Sequence, residues 1–165
     1  MENKDLEPQK PLLLRANRAL GTAFVEHKLV TSAQLEAANA KLMELIKTGE
    51  LKQASLLNLL LMGAEEIKES ALINYQSETL EIGLIDLTNY NLERSFDFNT
   101  ELAACWASRT IPYDKQEEFV FLATNFYLSE PVRKYWEEIY KGSELVWSVI
   151  SSTALIEALE RIEAK

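Results

Sequence analysis

The sequence predicts an α+β fold in which two tandem helical hairpins precede a small α/β subdomain. Two patterns predict it. Apolar residues recur at helical spacing through the first half of the chain, and residues 109–162 carry strand, strand, helix, strand and helix signals in that order. The predicted division is a mobile tail over residues 1–11, a helical subdomain over residues 12–80 and an α/β subdomain over residues 81–165.

The first predicted hairpin follows a charged, proline-containing segment. Its first helix is expected to end near His27 or Lys28 and carries one apolar stripe, formed by Leu13, Ala16, Leu20, Ala23 and Phe24. Thr31, followed three residues later by Gln34, predicts a capping box at the start of the second helix. That helix is predicted to end at Gly49.

The second predicted hairpin begins with the strongly apolar stretch 51–62, which stops at Gly63. Glu65 and Glu66 then suit the N-terminus of the following helix, because the helix dipole favours acidic side chains there. Residues 56–61 are apolar all round, which is typical either of a buried central helix or of an interaction face. We favour the buried helix and keep the interaction face as the alternative.

The α/β part is predicted to start with a β-hairpin. Residues 109–114 and 119–123 are rich in strand formers and are separated by a short polar turn. Upstream, residues 83–90 hold a short apolar segment that can supply a further strand. Asn99 or Thr100 is expected to cap a short helix that leads to the hairpin.

A crossover helix is predicted between Ser129, a suitable N-cap, and Gly142, a helix stop. Residues 144–150 then form a third strand. A strand, a crossover helix and a second strand imply a parallel pair. Ser151 or Ser152 is expected to cap the final helix.

Composition limits the classes of partner. The chain of 165 residues has 26 acidic and 17 basic residues, so its formal net charge is −9. Because neutralising phosphates requires clustered Lys and Arg, we expect soluble protein partners and no nucleic acid. No apolar run approaches the roughly 20 residues of a membrane span, and the N-terminal segment is too polar for a signal peptide. We therefore expect a cytoplasmic protein that does not span a membrane.

The residues that enzymes commonly use are scarce. No Gly-Lys dipeptide and no Gly-x-Gly is present, which excludes a P-loop and a dinucleotide turn. His27 is the only histidine and Cys105 the only cysteine, so metal sites with several such ligands are excluded. We expect a helix-end contact for His27 and a buried structural thiol for Cys105. Neighbouring carboxylates such as Glu137 and Glu138 do not face a common point on a helix. The sequence predicts no catalytic residue, no metal site and no cofactor, and hence no enzyme.

Aromatic residues concentrate on the crossover helix and the strand after it. Such residues are frequent in interface hot spots, yet in a small α+β domain they usually fill the space between helix and sheet. We favour the core and keep their exposed parts as an interaction surface, together with the apolar helix of the second hairpin. The candidate interaction residues are Leu57, Leu60, Leu61, Tyr135, Trp136 and Tyr140.

The segment Ala19-Leu-Gly-Thr-Ala-Phe-Val-Glu-His-Lys-Leu-Val-Thr-Ser-Ala-Gln-Leu35 resembles the opening hairpin of the N-terminal domain of type II secretion and type IV pilus assembly ATPases. Similar motifs follow in the family's order: Ile85-Asp-Leu, Ile111-Pro112, Leu122-Ala123, Ser129-Glu-Pro131, Gly142 and Ile156-x-x-Ala-Leu-x-x-Ile162. The resemblance covers residues 15–162. It implies a helical subdomain followed by an α/β subdomain, here without the ATPase motor.

The resemblance implies two functions. In these ATPases the domain docks on the cytoplasmic part of an inner-membrane platform protein, which implies a bacterial protein-interaction or regulatory domain. In a subset of them the two hairpin motifs bind cyclic di-GMP, which implies a sensor module as the alternative. Ala19 stands where the family has arginine, and Lys28 where it has a turn glycine. The corresponding nucleotide-binding residues are Arg18, Leu20, Gly21, Lys28, Leu29 and Val30.

Overall fold

Helix α1 (Lys10–Glu26) is the element against which most of the helical part packs. The computed structural model describes residues 1–64, 66–93 and 100–164. Four residues of the predicted apolar stripe of α1, Leu13, Ala16, Leu20 and Phe24, are at most 1% exposed, and the fifth, Ala23, is partly exposed. Within the described residues α1 contacts the helices α2 (Ser32–Lys47), α3 (Leu56–Gly63), α5 (Leu102–Ser108) and α6 (Glu130–Ile139).

The start of α2 has the capping box that the sequence predicts. The backbone N–H of Gln34 donates to Thr31 Oγ1 at 3.1 Å, and the backbone N–H of Thr31 donates to Gln34 Oε1 at 2.9 Å. The two reciprocal bonds satisfy backbone donors that the helix itself leaves unpaired. From this start α2 buries one face, formed by Ala38, Leu42 and Ile46.

The second hairpin starts later than the sequence predicts. Residues Leu51–Gln53 form a separate 3-10 turn, and α3 begins only at Leu56. The break lies at Ser55, which has an extended backbone and whose hydroxyl accepts from Asn58 N at 3.4 Å. Ser55 is therefore an N-cap, which a continuous apolar pattern does not reveal.

Helix α4 (Glu69–Asn74) follows α3 and continues into a π-helical turn at Tyr75–Thr79. The acid in its first turn is Glu69. Glu66, one of the two acids predicted there, lies in the turn that precedes α4, and Glu65 lies outside the described residues. The helix thus begins about one turn later than predicted.

The C-terminal part forms one sheet with the strand order β1-β4-β3-β2. Strands β2 and β3 form the predicted antiparallel hairpin, and β3 and β4 form the predicted parallel pair across α6. The short strand β1 pairs parallel with β4. The α+β prediction is confirmed. The strands are β1 (Gly83–Leu84), β2 (Thr110–Gln116), β3 (Phe119–Thr124) and β4 (Glu144–Val149).

One helix comes directly before β2 in the chain, and another follows β4. Helix α5 precedes β2, and Glu101 occupies its N-cap position. Of the two caps predicted for α5, Asn99 lies outside the described residues, and the hydroxyl of Thr100 lies 2.8 Å from that of Tyr140. The final helix, α7 (Ser152–Glu163), has the predicted Ser151 cap, whose hydroxyl accepts from Ala154 N at 3.2 Å.

The first residues, for which the sequence predicts a mobile tail, form a 3-10 helix at Asn3–Gln9 that packs on α5. Leu6 is its apolar anchor and is fully buried. Asn3 adds a polar anchor, because its Oδ1 accepts from Lys52 N at 2.8 Å. One leucine in a polar segment gives no periodic signal, so the burial depends on tertiary contacts.

Lys52 joins distant parts of the chain. Its Nζ donates to Met1 O at 3.2 Å, lies 3.0 Å from a Glu163 oxygen and stands 4.5 Å from the ring centroid of Trp106. Its carbonyl oxygen accepts from Arg109 Nη2 at 2.6 Å. Burial lowers the pKa of Arg109 to about 10, which still leaves this side chain charged at neutral pH. The cluster ties the second hairpin to both described ends of the chain.

Two buried polar side chains fix α1 against its neighbours. Asn17 Nδ2 donates to Leu13 O at 2.8 Å, and Asn17 Oδ1 accepts from Leu56 N at 2.8 Å. Ser129 Oγ donates to Ala16 O at 2.8 Å. Because unpaired buried polar groups are costly, these bonds specify where α3 and α6 begin relative to α1.

Gly21 is the point of closest approach between α1 and the helices beside it. A Cβ added at Gly21 would lie 2.7 Å from Leu35 Cδ1 and 2.7 Å from Leu56 Cδ2. Leu56 is fully buried, so its side chain has little room to move. Glycine at this position allows α1, α2 and α3 to pack closely.

We predict that Gly21→Val lowers the free energy of unfolding by about 2–3 kcal/mol, because the added atoms overpack the contact with Leu35 and Leu56. Urea denaturation monitored by circular dichroism measures it. The double variant Gly21→Val with Leu35→Ala should lose less than the sum of the two single losses, since the smaller side chain makes room. Strictly additive losses would contradict this account of Gly21.

A candidate anion-binding groove between helices α1 and α6

A groove of about 520 Å³ lies between the second half of α1 and the start of α6. We call it the arginine groove. Its volume falls in the range of small-molecule sites. It is lined by Arg15, Arg18, Ala19, Thr22, Ala23, Glu26, His27, Leu128, Glu130, Pro131 and Arg133. The lining thus holds three arginines and two glutamates, in a chain whose formal net charge is −9.

Two of the arginines come from one face of α1. Arg15 and Arg18 are three residues apart, so their side chains are neighbours on the helix surface. Both are exposed, and neither forms an ion pair with a residue that the structure describes. Two guanidinium groups at this spacing can bind a phosphate or a carboxylate with paired N–H donors.

The third arginine approaches from α6. The guanidinium carbon of Arg133 lies 5.2 Å from the ring centroid of Tyr127, a cation–π distance. Its Nε is buried and has no hydrogen-bond partner among the described residues. Arg133 is therefore oriented by an aromatic face, and its guanidinium group contributes positive charge to the lining of the groove.

The acidic residues of the groove only partly offset this charge. Glu130 pairs with Lys134 at 2.9 Å, and the hydrogen bond and charge of Lys134 lower the pKa of Glu130. Glu130 is therefore ionised at neutral pH and compensated by a lysine that does not line the groove. Glu26 is the second carboxylate in the lining, whereas the lining contains three guanidinium groups.

The first turn of α6 borders the same groove. The residue at its N-cap, Ser129, donates its hydroxyl to Ala16 O and makes no capping bond to α6. Pro131 in the first turn has no backbone N–H to donate. The positive end of the helix dipole lies beside the arginines without a side-chain cap, which favours negative charge there, and Glu130 in the first turn of α6 already supplies one such charge.

His27 is also part of the lining of the groove. Its Nδ1 lies 2.8 Å from the hydroxyl of Tyr75, and the two rings are 5.2 Å apart at 40°. The sequence predicts a helix-end contact for this histidine. It is the C-cap residue of α1, and its side chain is oriented by the π-helical turn that follows α4.

The six residues implied as nucleotide-binding divide into two groups. Arg18 lines the arginine groove, and Lys28 is exposed in the turn after α1. The others are partly or fully buried: Leu20 is fully buried, Gly21 packs against α2 and α3, Val30 is 6% exposed and Leu29 packs against the core. The structure brings only Arg18 of this set into the groove.

The six candidate interaction residues are mostly interior. Leu57, Leu60, Trp136 and Tyr140 are between 1% and 7% exposed. Trp136 Nε1 donates to Ser108 Oγ at 3.1 Å, and its ring stacks on Tyr140 at 5.8 Å. The structure therefore places these four in the core rather than on a surface. Leu61 and Tyr135 are partly exposed.

Two arginines of the groove, Arg15 and Arg133, were not predicted as site residues from the sequence. Arg15 has a signal, since it lies one helical turn before Arg18 on the predicted first helix. Arg133 has none, because nothing local indicates that α6 packs beside α1. Only the tertiary contact between the two helices brings it there.

Other sites for chemistry are few in the part of the chain that the structure describes. No cluster of three or more histidine, cysteine, aspartate or glutamate side chains is arranged there for a metal ion. Cys105 is buried, and burial raises the pKa of its thiol, which disfavours the reactive thiolate. Among the described helices, none is both long and apolar enough to cross a membrane.

Comparison with solved structures finds a similar fold. The chain is similar to a structure described as "Structure of MshE with cdg", with a TM-score of 0.54 and 18% sequence identity. The match covers 87% of this chain and 97% of that chain. No protein-family profile matches the chain, and neither does any curated protein sequence. The likeness to MshE shows a shared fold over nearly the whole chain.

The turn after α1 holds Lys28 in the left-handed region, with φ of 59°. Lys28 N donates to Val25 O at 3.0 Å, and Leu29 N donates to Phe24 O at 2.8 Å. An equivalent pair of hydrogen bonds ends α2 at Gly49, whose φ is 81°. Both ends are Schellman motifs, which favour glycine at the left-handed position.

We expect Lys28→Gly to raise the free energy of unfolding by about 1 kcal/mol, because glycine avoids the left-handed strain that a Cβ brings. Chemical denaturation measures it. Gly49→Lys is the matched control and should lower stability by a similar amount, since it creates at α2 the arrangement found at α1. Equal stability of all three proteins would refute this reading of the turn.

Proposed function

We propose that this chain is a non-catalytic protein-interaction and regulatory domain that docks on another component of a bacterial secretion or pilus assembly system. The observation that carries the proposal is the fold shared with MshE over 87% of the chain. The resemblance of residues 15–162 to the N-terminal domain of secretion and pilus ATPases supports it, because both comparisons point to the same arrangement of helical and α/β parts. The partner suggested by the resemblance is the cytoplasmic part of an inner-membrane platform protein.

The proposal predicts direct binding to a secretion or pilus component. The purified chain, immobilised on a biosensor, should bind the cytoplasmic region of the platform protein of the same organism with a dissociation constant in the micromolar range. That range suits a docking interface of about 1,200–2,000 Å². An unrelated acidic domain of similar size is the control for electrostatic attraction. Failure to bind the platform protein and every other component of the system would refute the proposal.

A second candidate function is sensing of cyclic di-GMP, and the arginine groove favours it. The MshE structure was obtained with cdg, which we take as cyclic di-GMP. Arginine pairs with phosphate oxygens and with the O6 and N7 acceptors of guanine, and this ligand offers both. Arg15, Arg18 and Arg133 line a groove that is also bordered by the uncapped start of α6. An anion bound there would gain from both features.

For this candidate we predict thermal stabilisation by cyclic di-GMP. At 100 times the dissociation constant the ligand adds about 2.7 kcal/mol, or roughly 5–10 °C in the unfolding midpoint. Arg18→Ala should abolish most of the shift, whereas Lys141→Ala, an exposed change outside the groove, should keep it. Cyclic di-AMP serves as the matched ligand with the same phosphates and no guanine. An undiminished shift in Arg18→Ala would contradict binding in this groove.

A further inference from the structure

A second groove follows the first turns of α7 and differs in character from the arginine groove. It consists of two adjoining hollows of about 460 and 560 Å³, which share Thr153 and Glu157. We call it the α7 groove. Its apolar lining comes from α3, α4, the β1 region and α7, and its large apolar side chains are those of Leu61, Met62, Ile73, Leu84, Ile85 and Ile156.

The α7 groove collects the most exposed apolar side chains of the described residues. Met62 is 83% exposed and Leu84 is 63% exposed, the two largest values among the large apolar residues there. They belong to different hollows of the same groove. The two side chains line neighbouring hollows that meet at the exposed residues Thr153 and Glu157, and exposed apolar groups that cluster in this way are typical of a protein-binding site, whereas isolated ones are common on any surface.

The charge of the α7 groove is negative. Its described lining includes three carboxylates, those of Glu69, Asp86 and Glu157, and no lysine, arginine or histidine. Glu69 accepts from Ser152 N at 2.8 Å at the start of α7. Asp86 and Glu157 are exposed beside the apolar side chains. A partner that covers this groove therefore needs basic side chains around an apolar strip.

The elements that line the groove favour a helix over an added strand as its occupant. The nearest sheet edge is β1, which is only two residues long and so presents few main-chain groups for strand pairing. The apolar contacts come instead from side chains on three helices and the β1 region. A flexible methionine such as Met62 adapts to the packing of a helical partner.

We propose that the α7 groove binds a basic amphipathic helix of a partner protein. The apolar face of that helix covers Met62, Leu84 and Ile156, and its lysine or arginine side chains lie beside Asp86 and Glu157. The net charge of −9 adds a long-range attraction for such a segment. This inference rests on the proposed interaction function and adds to it the surface and the chemistry of the partner.

The test uses the full chain and a fluorescent Leu/Lys peptide of about four helical turns, designed with one apolar face. Fluorescence anisotropy should give saturable binding. Met62→Asp should weaken it about tenfold or more, since it removes a buried apolar contact and adds a charge among apolar groups. Glu157→Lys should weaken it about fivefold or more at low salt through charge repulsion.

The matched controls are Met43→Asp on α2 and Glu138→Lys on α6, which are both exposed and lie outside the groove. The peptide affinity of these two variants should stay within about twofold of that of the unmodified chain.

Several results would overturn the proposal. One is the absence of binding at millimolar peptide, and another is equal weakening by the groove variants and their controls, which would indicate unspecific attraction. A third is a dimer in sedimentation that Met62→Asp makes monomeric, because a second copy of the chain would then cover the groove. Binding to the platform protein is measured separately. A negative peptide result with a positive platform result would therefore refute the α7 groove and leave the proposed function standing.

Discussion

The buried amide of Asn17 is the interaction on which the helical part depends. It donates to Leu13 O within α1 and lies 3.5 Å from Ala54 O, while its oxygen accepts from Leu56 N. One side chain thus satisfies backbone groups on both sides of the break that starts α3. An unpaired buried amide would cost on the order of 1–3 kcal/mol, so the amide sets the register of α3 on α1. With that register fixed, Leu56 meets Gly21 and the close packing of the first three helices follows.

The parts of the fold that could be predicted from the sequence are those with local causes. The Thr31 capping box, the stripe of α1 and the β2–β3 hairpin arise from residues a few positions apart, and so does the crossover helix between the parallel strands. The late start of α3 was not predicted, because the apolar pattern continues through the Ser55 cap and because the bond from Leu56 N to Asn17 Oδ1 spans 39 residues. Leu6 is similar, since a single apolar residue becomes an anchor only when α5 lies beside it.

The candidate site was predictable to a smaller extent for the same reason. Arg18 lies in the segment that carries the family resemblance, and the structure places it on a groove. Arg133 belongs to a helix whose sequence pattern is that of an ordinary amphipathic helix, and its place beside α1 follows from the packing of the two helices, which includes the bond from Ser129 to Ala16 O. Trp136 and Tyr140 illustrate a different difficulty, because an aromatic face has the same spacing whether it packs inside or binds outside. Burial decides between the two, and burial is a property of the whole fold.

Lys52 has a consequence for the topology of the molecule. Its ammonium group meets both the carbonyl of Met1 and the carboxylate of Glu163, so the two described ends of the chain lie next to each other. A short linker can join such ends without crossing the body of the protein. A circular permutant opened at the exposed turn around Glu117 would keep the sheet order and the packing around α1. The arrangement of the segments in space would then not depend on the order in which they are synthesised.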